Sequence, residues 1–317
     1  MLIGIEIGGT KLQVAVGDAQ GNIYHLERGR VQSDWQSKEI LHWIAETTRT
    51  LVHREEQEGK KLKAIGIGFG GPVNSNEGKV LVSHQIRGWQ GFPLKQWFEN
   101  EFSVPTILAN DANSAGWAEY VLGKGRGTRH FFYMNIGSGI GGALVIDGKL
   151  HDGQGLGAGE IGHTYIPDWT RAETGAYDKL ENICSGWNIE RRLRRENYVP
   201  EESELWKMAH GDKSKLNCIL LGECASKGDL FACAELDRIS QSIGLAIANV
   251  ITLFHPERIA LGGGVSLMGE PLLNRIRTNV DRLVFTPFRN CYEIGACELG
   301  EQVVLVGALL LAGQCIY

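Results

Sequence analysis

The chain has 317 residues, 43% of them hydrophobic and 22% charged, which excludes a disordered polymer and leaves room for two domains or one large one. Its formal net charge of −5 argues against a nucleic-acid binder, whose footprint is a basic surplus. The seven cysteines are Cys184, Cys218, Cys224, Cys233, Cys291, Cys297 and Cys315; an odd count with no C-x-x-C pair indicates neither a disulfide framework nor a zinc knuckle.

The opening stretch, MLIGIEIGGTKL, has no basic lead and no long apolar run, and no segment reaches membrane-spanning length, so a cytoplasmic protein is expected. Residues 2–7 predict a strand with Glu6 as its one charged member, turned by Gly8-Gly9-Thr10 into a second strand at 12–16. A turn at 18–22 leads to a third strand at 23–32, so the pattern is a hairpin and not a β-α-β crossover. Residues 37–58 predict an amphipathic helix with Ile40, Trp43, Ile44, Thr47 and Leu51 on one face. LKAIGIGFGGPV (62–73) reads as a buried strand ending in glycines, and Pro93 to Glu101 as a short helix opening on proline. PTILANDANSAG (105–116) runs from an extended apolar stretch into a helix starting at Asn113. Asp111 sits at the seam with Asn110, and helix capping competes there with a functional role.

Gly123 to Gly127 reads as a linker. FFYMNIGSGIGGALVIDGKL (131–150) then repeats the order of the N-terminus: apolar strand, glycine turn, apolar strand, turn. The echo suggests two related lobes, although hairpins also resemble one another without kinship. The C-terminal half predicts helices at 186–197, 201–209, 215–225, 230–254, 272–283 and 302–312, with a strand at ERIALGGGVS (257–266). The basic run from Arg191 to Glu196 reads as a solvated helix face.

GSGIGG (137–142) matches the dinucleotide pattern G-x-G-x-x-G, but a strand follows it where that motif needs a helix N-terminus. What remains is a glycine turn whose N–H groups can face an anion, as at IGGT (7–10) and at LGGGV (261–265). Three such turns, two in matched hairpins, favour a nucleotide held between two lobes. Glu6 in an apolar strand is costly unless paired, and beside a phosphate turn its task would be magnesium, directly or through water. Asp111 at a strand end could take a proton from a hydroxyl nucleophile, worth roughly 10²–10⁴-fold in rate. Glu160 and His163 in GAGEIGH and Glu181 in KLENICSG are further polar candidates, each competing with a cap, a surface charge or a core histidine.

The ordered set IGIEIGGTK, GIGFGGPV, ILANDANSAGWAEY, NIGSGIGGALVIDGKL, GAGEIGH, LENICSG and IALGGGVS resembles the ROK family (repressor, open reading frame, kinase) over essentially the whole chain. The resemblance implies an α/β, actin-like ATPase fold, ribonuclease H-like and of hexokinase type. A small lobe at 1–123 would be joined by the C-terminal helix at 302–317, with a large lobe at 124–301. It implies transfer of the γ-phosphoryl group of ATP, with Mg2+, to a hexose 6-hydroxyl in a glucokinase-like enzyme. A hexosamine or fructose kinase and a sugar-binding sensor without turnover are the alternatives, and polyphosphate as donor stays open. Position by position, it implies Asp111 as general base, Asn110, Glu160, His163 and Glu181 as sugar contacts, and Gly71 in a loop beside the sugar. Gly8, Gly9, Thr10 and Lys11 would line the triphosphate with Gly137, Ser138 and Gly139, and Gly262, Gly263 and Gly264 would lie near the adenosine. Asn113 is then the capping candidate. A homodimer is implied, with no nucleic-acid or membrane partner. Family repressors carry a helix-turn-helix ahead of the first strand, so the kinase branch is expected here.

Three departures stand out. Many members carry a zinc motif, C-x-C-G-x-x-G-C, with the histidine of E-x-G-H; its cysteine positions fall here on Ala172, Thr174 and Lys179. None supplies a thiolate, and Cys184 lies in the wrong register, so no zinc is expected and His163 must be oriented by hydrogen bonds. Glu6 stands where the family usually has aspartate. Gln85 stands in SHQIRGWQGFPL where asparagine is common, which points to a different sugar preference.

Overall fold

The computed structural model describes residues 1–83 and 86–316. Gln85 lies outside the described residues. Two compact units are present: Met1–Arg126 with Ala143–Ala158 and the chain from Glu298 on, and Gly127–Gly142 with Gly159–Cys297.

In chain order the first unit opens with β1 (Leu2–Ile7), β2 (Lys11–Gly17) and β3 (Ile23–Arg30), then α1 (Ser37–Glu56), β4 (Ala64–Phe69) and the short ribbon β5 (Val73–Asn74) and β6 (Lys79–Val80). Then come α2 (Leu94–Phe102), β7 (Thr106–Asn110) and α3 (Asp111–Val121). Its sheet has the order β3-β2-β1-β4-β7. The first three strands are antiparallel, as the tight turns at Gly8–Thr10 and Asp18–Asn22 require, whereas β4 and β7 join parallel to β1 through helical crossovers. Register pairs Ile7 with Phe69 and Phe69 with Asn110, so β1, β4 and β7 end level with one another. The carboxyl ends of parallel strands are where α/β sheets bind ligands.

The later elements are β8 (Phe131–Ile136), β9 (Ile140–Ile146), β10 (Lys149–His151), the hairpin β11 (Tyr165–Pro167) and β12 (Tyr177–Lys179), and α4 (Leu180–Cys184). They continue with α5 (Gly186–Leu193), α6 (Glu204–Met208), α7 (Cys218–Ser226), α8 (Leu230–Phe254), β13 (Arg258–Gly262), α9 (Glu270–Leu283), β14 (Glu293–Ala296) and α10 (Val303–Gly313). The second sheet has the order β10-β9-β8-β13-β14, with β13 parallel to both β8 and β14. Both five-stranded sheets are mixed, the two-lobe α/β arrangement expected from the sequence.

The period-two pattern explains the first sheet. Ile3, Ile5, Ile7, Ile65, Ile67 and Phe69 form one face and pack with Ile40, Ile44 and Leu51 of α1 and Phe98 of α2. On the other face glycines let α10 lie close: a Cβ at Gly66 would strike the Ala308 carbonyl, and one at Gly4 would meet Leu309 Cγ at 2.9 Å. Across the same helix, a Cβ at Gly307 would strike the carbonyl of Ser114 in α3. Mid-strand glycine here marks close backbone approach.

Several expectations are corrected. The buried face of α1 runs through Ile40, Leu41, Ile44, Thr48 and Leu51; Trp43 sits at its margin, its ring packed where a Cβ of Gly29 in β3 would be. Helix α3 starts at Asp111 and not at Asn113. Arg192 is not on a solvated face: it is 2% exposed, paired with Glu235 and stacked over Trp169.

Alanine at position 307 gains roughly 1 kcal/mol of helix propensity but must displace backbone, and overpacking costs about 1–3 kcal/mol. Gly307→Ala should therefore lower the urea midpoint, whereas Gly300→Ala, with nothing within 4 Å of its added methyl, should leave it within about 0.5 kcal/mol of the parent.

Candidate active site

The junction of β7 and α3 positions the central carboxylate of the first unit. Asn110 is the helix N-cap: its side-chain oxygen accepts hydrogen bonds from the N–H groups of Ala112 (2.8 Å) and Asn113 (3.3 Å). Its amide nitrogen donates to the Gly71 carbonyl at 3.0 Å. The capping role assigned to Asn113 therefore belongs to Asn110, whose extended backbone and short side chain suit it. Asp111 follows as the first helical residue, half-buried, with Oδ1 accepting from the Ala112 N–H at 2.8 Å.

The turn after β1 reaches the same place. Gly70 N–H donates to the Ile7 carbonyl at 2.8 Å, and Gly8 N–H to the Lys11 carbonyl at 3.0 Å. A Cβ at Gly70 would lie 3.4 Å from Gly8 Cα and 3.5 Å from Asp111 Oδ2. The carboxylate and the glycine turn thus lie on either side of Gly70, each at van der Waals distance from where its Cβ would be. Gly9 is half-buried and Thr10 exposed at the tip. Glu6 is 9% exposed, with Oε1 3.1 Å from Lys11 Nζ and Oε2 buried without a hydrogen-bond partner. Burial holds its carboxyl above the usual glutamate range, against the pull of Lys11.

The second unit carries the other candidates. In the turn between β8 and β9, Gly137 N–H donates to the Gly139 carbonyl at 2.9 Å and Ser138 is exposed. Glu181, in the first turn of α4, accepts from the Ile140 N–H at 2.8 Å, and a Cβ at Gly139 would come within 2.6 Å of that carboxylate. Glu181 is therefore joined directly to the glycine turn. Glu160 precedes a single 3-10 turn at Ile161–His163. Although the residue as a whole is exposed, its carboxyl is raised above the ordinary range, first by partial loss of water and further by the charge of Glu181, with His163 pulling the other way. His163 Nδ1 lies 3.1 Å from Lys179 Nζ.

Gly262 and Gly263 close β13. Gly263 has φ +83° and leaves no room for a Cβ, which would meet the Ile136 backbone at 2.5 Å. Beside this run lies an apolar pocket of about 170 Å³ lined by Ile136, Leu261, Leu272, Leu273, Ile276 and Ala296. Gly264 follows with nothing within 4 Å of a Cβ. A flat heteroaromatic ring suits such a slot. A larger cavity of about 490 Å³ in the first unit borders Asn110 but not Asp111 or Gly71, so it is not where a reacting hydroxyl would meet the carboxylate.

The first unit thus brings Glu6, Gly8, Lys11, Gly71, Asn110 and Asp111 to neighbouring strand ends, and the second ties Glu181 to Gly137–Gly139 and His163 to Lys179. Lys179, one of the three positions vacated by cysteine, was missed as a contributor, because only the register of β11 and β12 brings it to His163. Among the described residues no three His, Cys, Asp or Glu side chains group closely enough to hold a metal ion, and no helix is long and apolar enough to cross a membrane.

A model of the ROK family matches residues 2–315. The chain is 32% identical over 318 residues to a glucokinase of Streptomyces coelicolor, covering 99% of this chain and 98% of that one. It is 23% identical to a xylose repressor of Caldicellulosiruptor bescii, covering 98% of this chain and 77% of the repressor. Among solved structures, a ROK family glucokinase from Streptomyces griseus in complex with glucose and AMPPNP superposes with a TM-score of 0.78 at 30% identity, covering 99% of both chains.

The raised carboxyl of Glu6 has a measurable consequence. The folded state holds the Glu6 proton to higher pH than the unfolded chain, so this contribution to stability is complete below the ordinary glutamate value and is lost as pH rises through the raised one. Glu6→Gln should flatten that decline and leave the protein at least as stable as the parent at neutral pH, as read from urea midpoints at acid and neutral pH; a less stable variant would show that Lys11 fully compensates the buried charge.

Proposed function

The chain belongs to the ROK family, and on that footing we propose that it is a glucokinase-like sugar kinase, transferring the γ-phosphoryl group of ATP to the 6-hydroxyl of a hexose. One observation carries the reading: Asp111 Oδ2 and the Gly8 turn lie on either side of Gly70, so the proposed base and the proposed phosphate turn are near neighbours.

In this reading Asp111 accepts the hydroxyl proton as the sugar oxygen attacks the γ-phosphorus. A new P–O bond forms, the bond to the β-phosphate oxygen breaks, and ADP leaves with that oxygen. Phosphoryl transfer asks for positioning and charge neutralisation more than covalent help. The turns Gly8–Lys11 and Gly137–Gly139 are the proposed triphosphate contacts; because the Gly8 and Gly137 N–H groups already donate to the Lys11 and Gly139 carbonyls, the donors offered to phosphate would be the other N–H groups of each turn with the Thr10, Lys11 and Ser138 side chains. Gly262, Gly263 and Gly264 with the adjoining apolar pocket would take the adenosine. Asn110, Glu160, His163 and Glu181 with the Gly71 backbone would hold sugar hydroxyls. Because Asn110 already uses its oxygen for the helix and its nitrogen for Gly71, it would act on the sugar through the remaining capacity of those groups.

Magnesium fits Glu6. The buried Oε2 lacks a protein partner, and an ion that keeps its waters needs only one or two carboxylates besides the phosphates. Bound there with the nucleotide, it would neutralise charge on the transferring group. The zinc motif's cysteine positions hold Ala172, Thr174 and Lys179, so the reading includes no zinc.

Asp111→Asn keeps the size of the side chain and removes the base. With glucose and MgATP, a coupled ADP-release assay should show kcat reduced about 10²–10⁴-fold, while the glucose dissociation constant from calorimetry stays within about threefold. A variant retaining most of its rate would remove Asp111 from the proton transfer.

A further inference from the structure

The β11–β12 hairpin places a cation on a ring nitrogen of a proposed sugar contact. Its register pairs Tyr165 with Lys179 and Ile166 with Asp178, and the Leu180 N–H donates to the Thr164 carbonyl at 2.9 Å, extending the pairing by one step. His163 ends the 3-10 turn just before β11 and Glu181 follows β12 in α4, so both lie at the end of the hairpin where Tyr165 faces Lys179. There His163 Nδ1 and Lys179 Nζ lie 3.1 Å apart. The lysine backbone is fixed by its own N–H, which donates to Asp178 Oδ1 at 2.7 Å. That same oxygen accepts from Asn182 Nδ2 at 2.7 Å, tying the end of β12 to α4, the helix that carries Glu181.

An ammonium group has donors and no acceptor, so a contact between Nζ and Nδ1 requires the ring nitrogen to accept. The neutral imidazole then carries its proton on Nε2. We propose that Lys179 is a positioning residue: by donating to His163 Nδ1 it selects the Nε2–H tautomer and fixes the ring plane, so that His163 offers a sugar hydroxyl a hydrogen-bond donor. This rests on the sugar-contact role given to His163 under the proposed function. The device needs no metal. A cation held on the chain does what a bound cation could do for a histidine, which is to occupy one ring nitrogen and commit the other.

Lys179→Met keeps the length of the side chain and removes the donor. The contact lies near the surface, so the expected effect is that of one hydrogen bond: a sugar KM about three- to tenfold higher, with kcat, the ATP KM and the melting temperature unchanged. Lys179→Arg, which can still donate to Nδ1, should return the sugar KM to near the parent value. Long-range proton–nitrogen NMR of the His163 ring should show a bare Nδ1 and a protonated Nε2 in the parent, and mixed tautomers in Lys179→Met. An unchanged sugar KM or an unchanged ring spectrum overturns the proposal, as does a variant in which melting temperature and ATP KM move together with sugar KM. The spectrum also separates this proposal from the kinase reading: if no hexose is turned over but the tautomer still depends on Lys179, the Lys179–His163 contact stands and the sugar role fails.

Discussion

Asn110 joins two backbones with one side chain. Its oxygen caps α3 and its nitrogen holds the Gly71 carbonyl, so the start of the helix, the loop after β4 and the Asp111 carboxylate are set together. Neither bond is strong. A cap is worth about 1 kcal/mol and a neutral hydrogen bond about the same, a modest part of the stability of a chain this size. Misplacing a catalytic group by about 1 Å can cost on the order of 10²-fold in rate. The value of Asn110 on this account lies in geometry, not in stability.

The glycines serve a related purpose. Gly66 and Gly307 let α10 approach β4 and α3 at backbone distance, and Gly70 lies beside both Gly8 and Asp111. A side chain at Gly66 or Gly307 would push α10 off its neighbours. Glu6 shows the opposite compromise: a carboxylate kept in an apolar strand with one oxygen unpaired costs stability, and the proposed function gives that oxygen a magnesium ion to meet.

Much of this was legible in the sequence because it is local. The first strand, the glycine turns and the long helix at 230–254 follow from periodicity and turn chemistry over a few residues, whereas at Asp111 helix capping competes with function and only the family resemblance of NDAN (110–113) gives it a role. What escaped notice depends on partners far along the chain. Arg192 reads as one of a run of surface cations; Glu235 and Trp169, 43 and 23 positions away, make it internal. Lys179 reads only as an absent cysteine until a three-residue hairpin, too short to show period-two alternation, carries it to His163. The choice between Asn110 and Asn113 as cap turned on backbone conformation at a single residue, which composition does not encode.

The most direct test of the account is the identity of the product. After incubation of the chain with MgATP and glucose, a phosphorus–proton correlation NMR spectrum should show one new phosphate monoester coupled to the two protons on C6, formed in step with ADP. An ester at another carbon, or no sugar ester with any hexose under conditions where the nucleotide is bound, would contradict the assignment of Asp111 and the glycine turns to a common reaction.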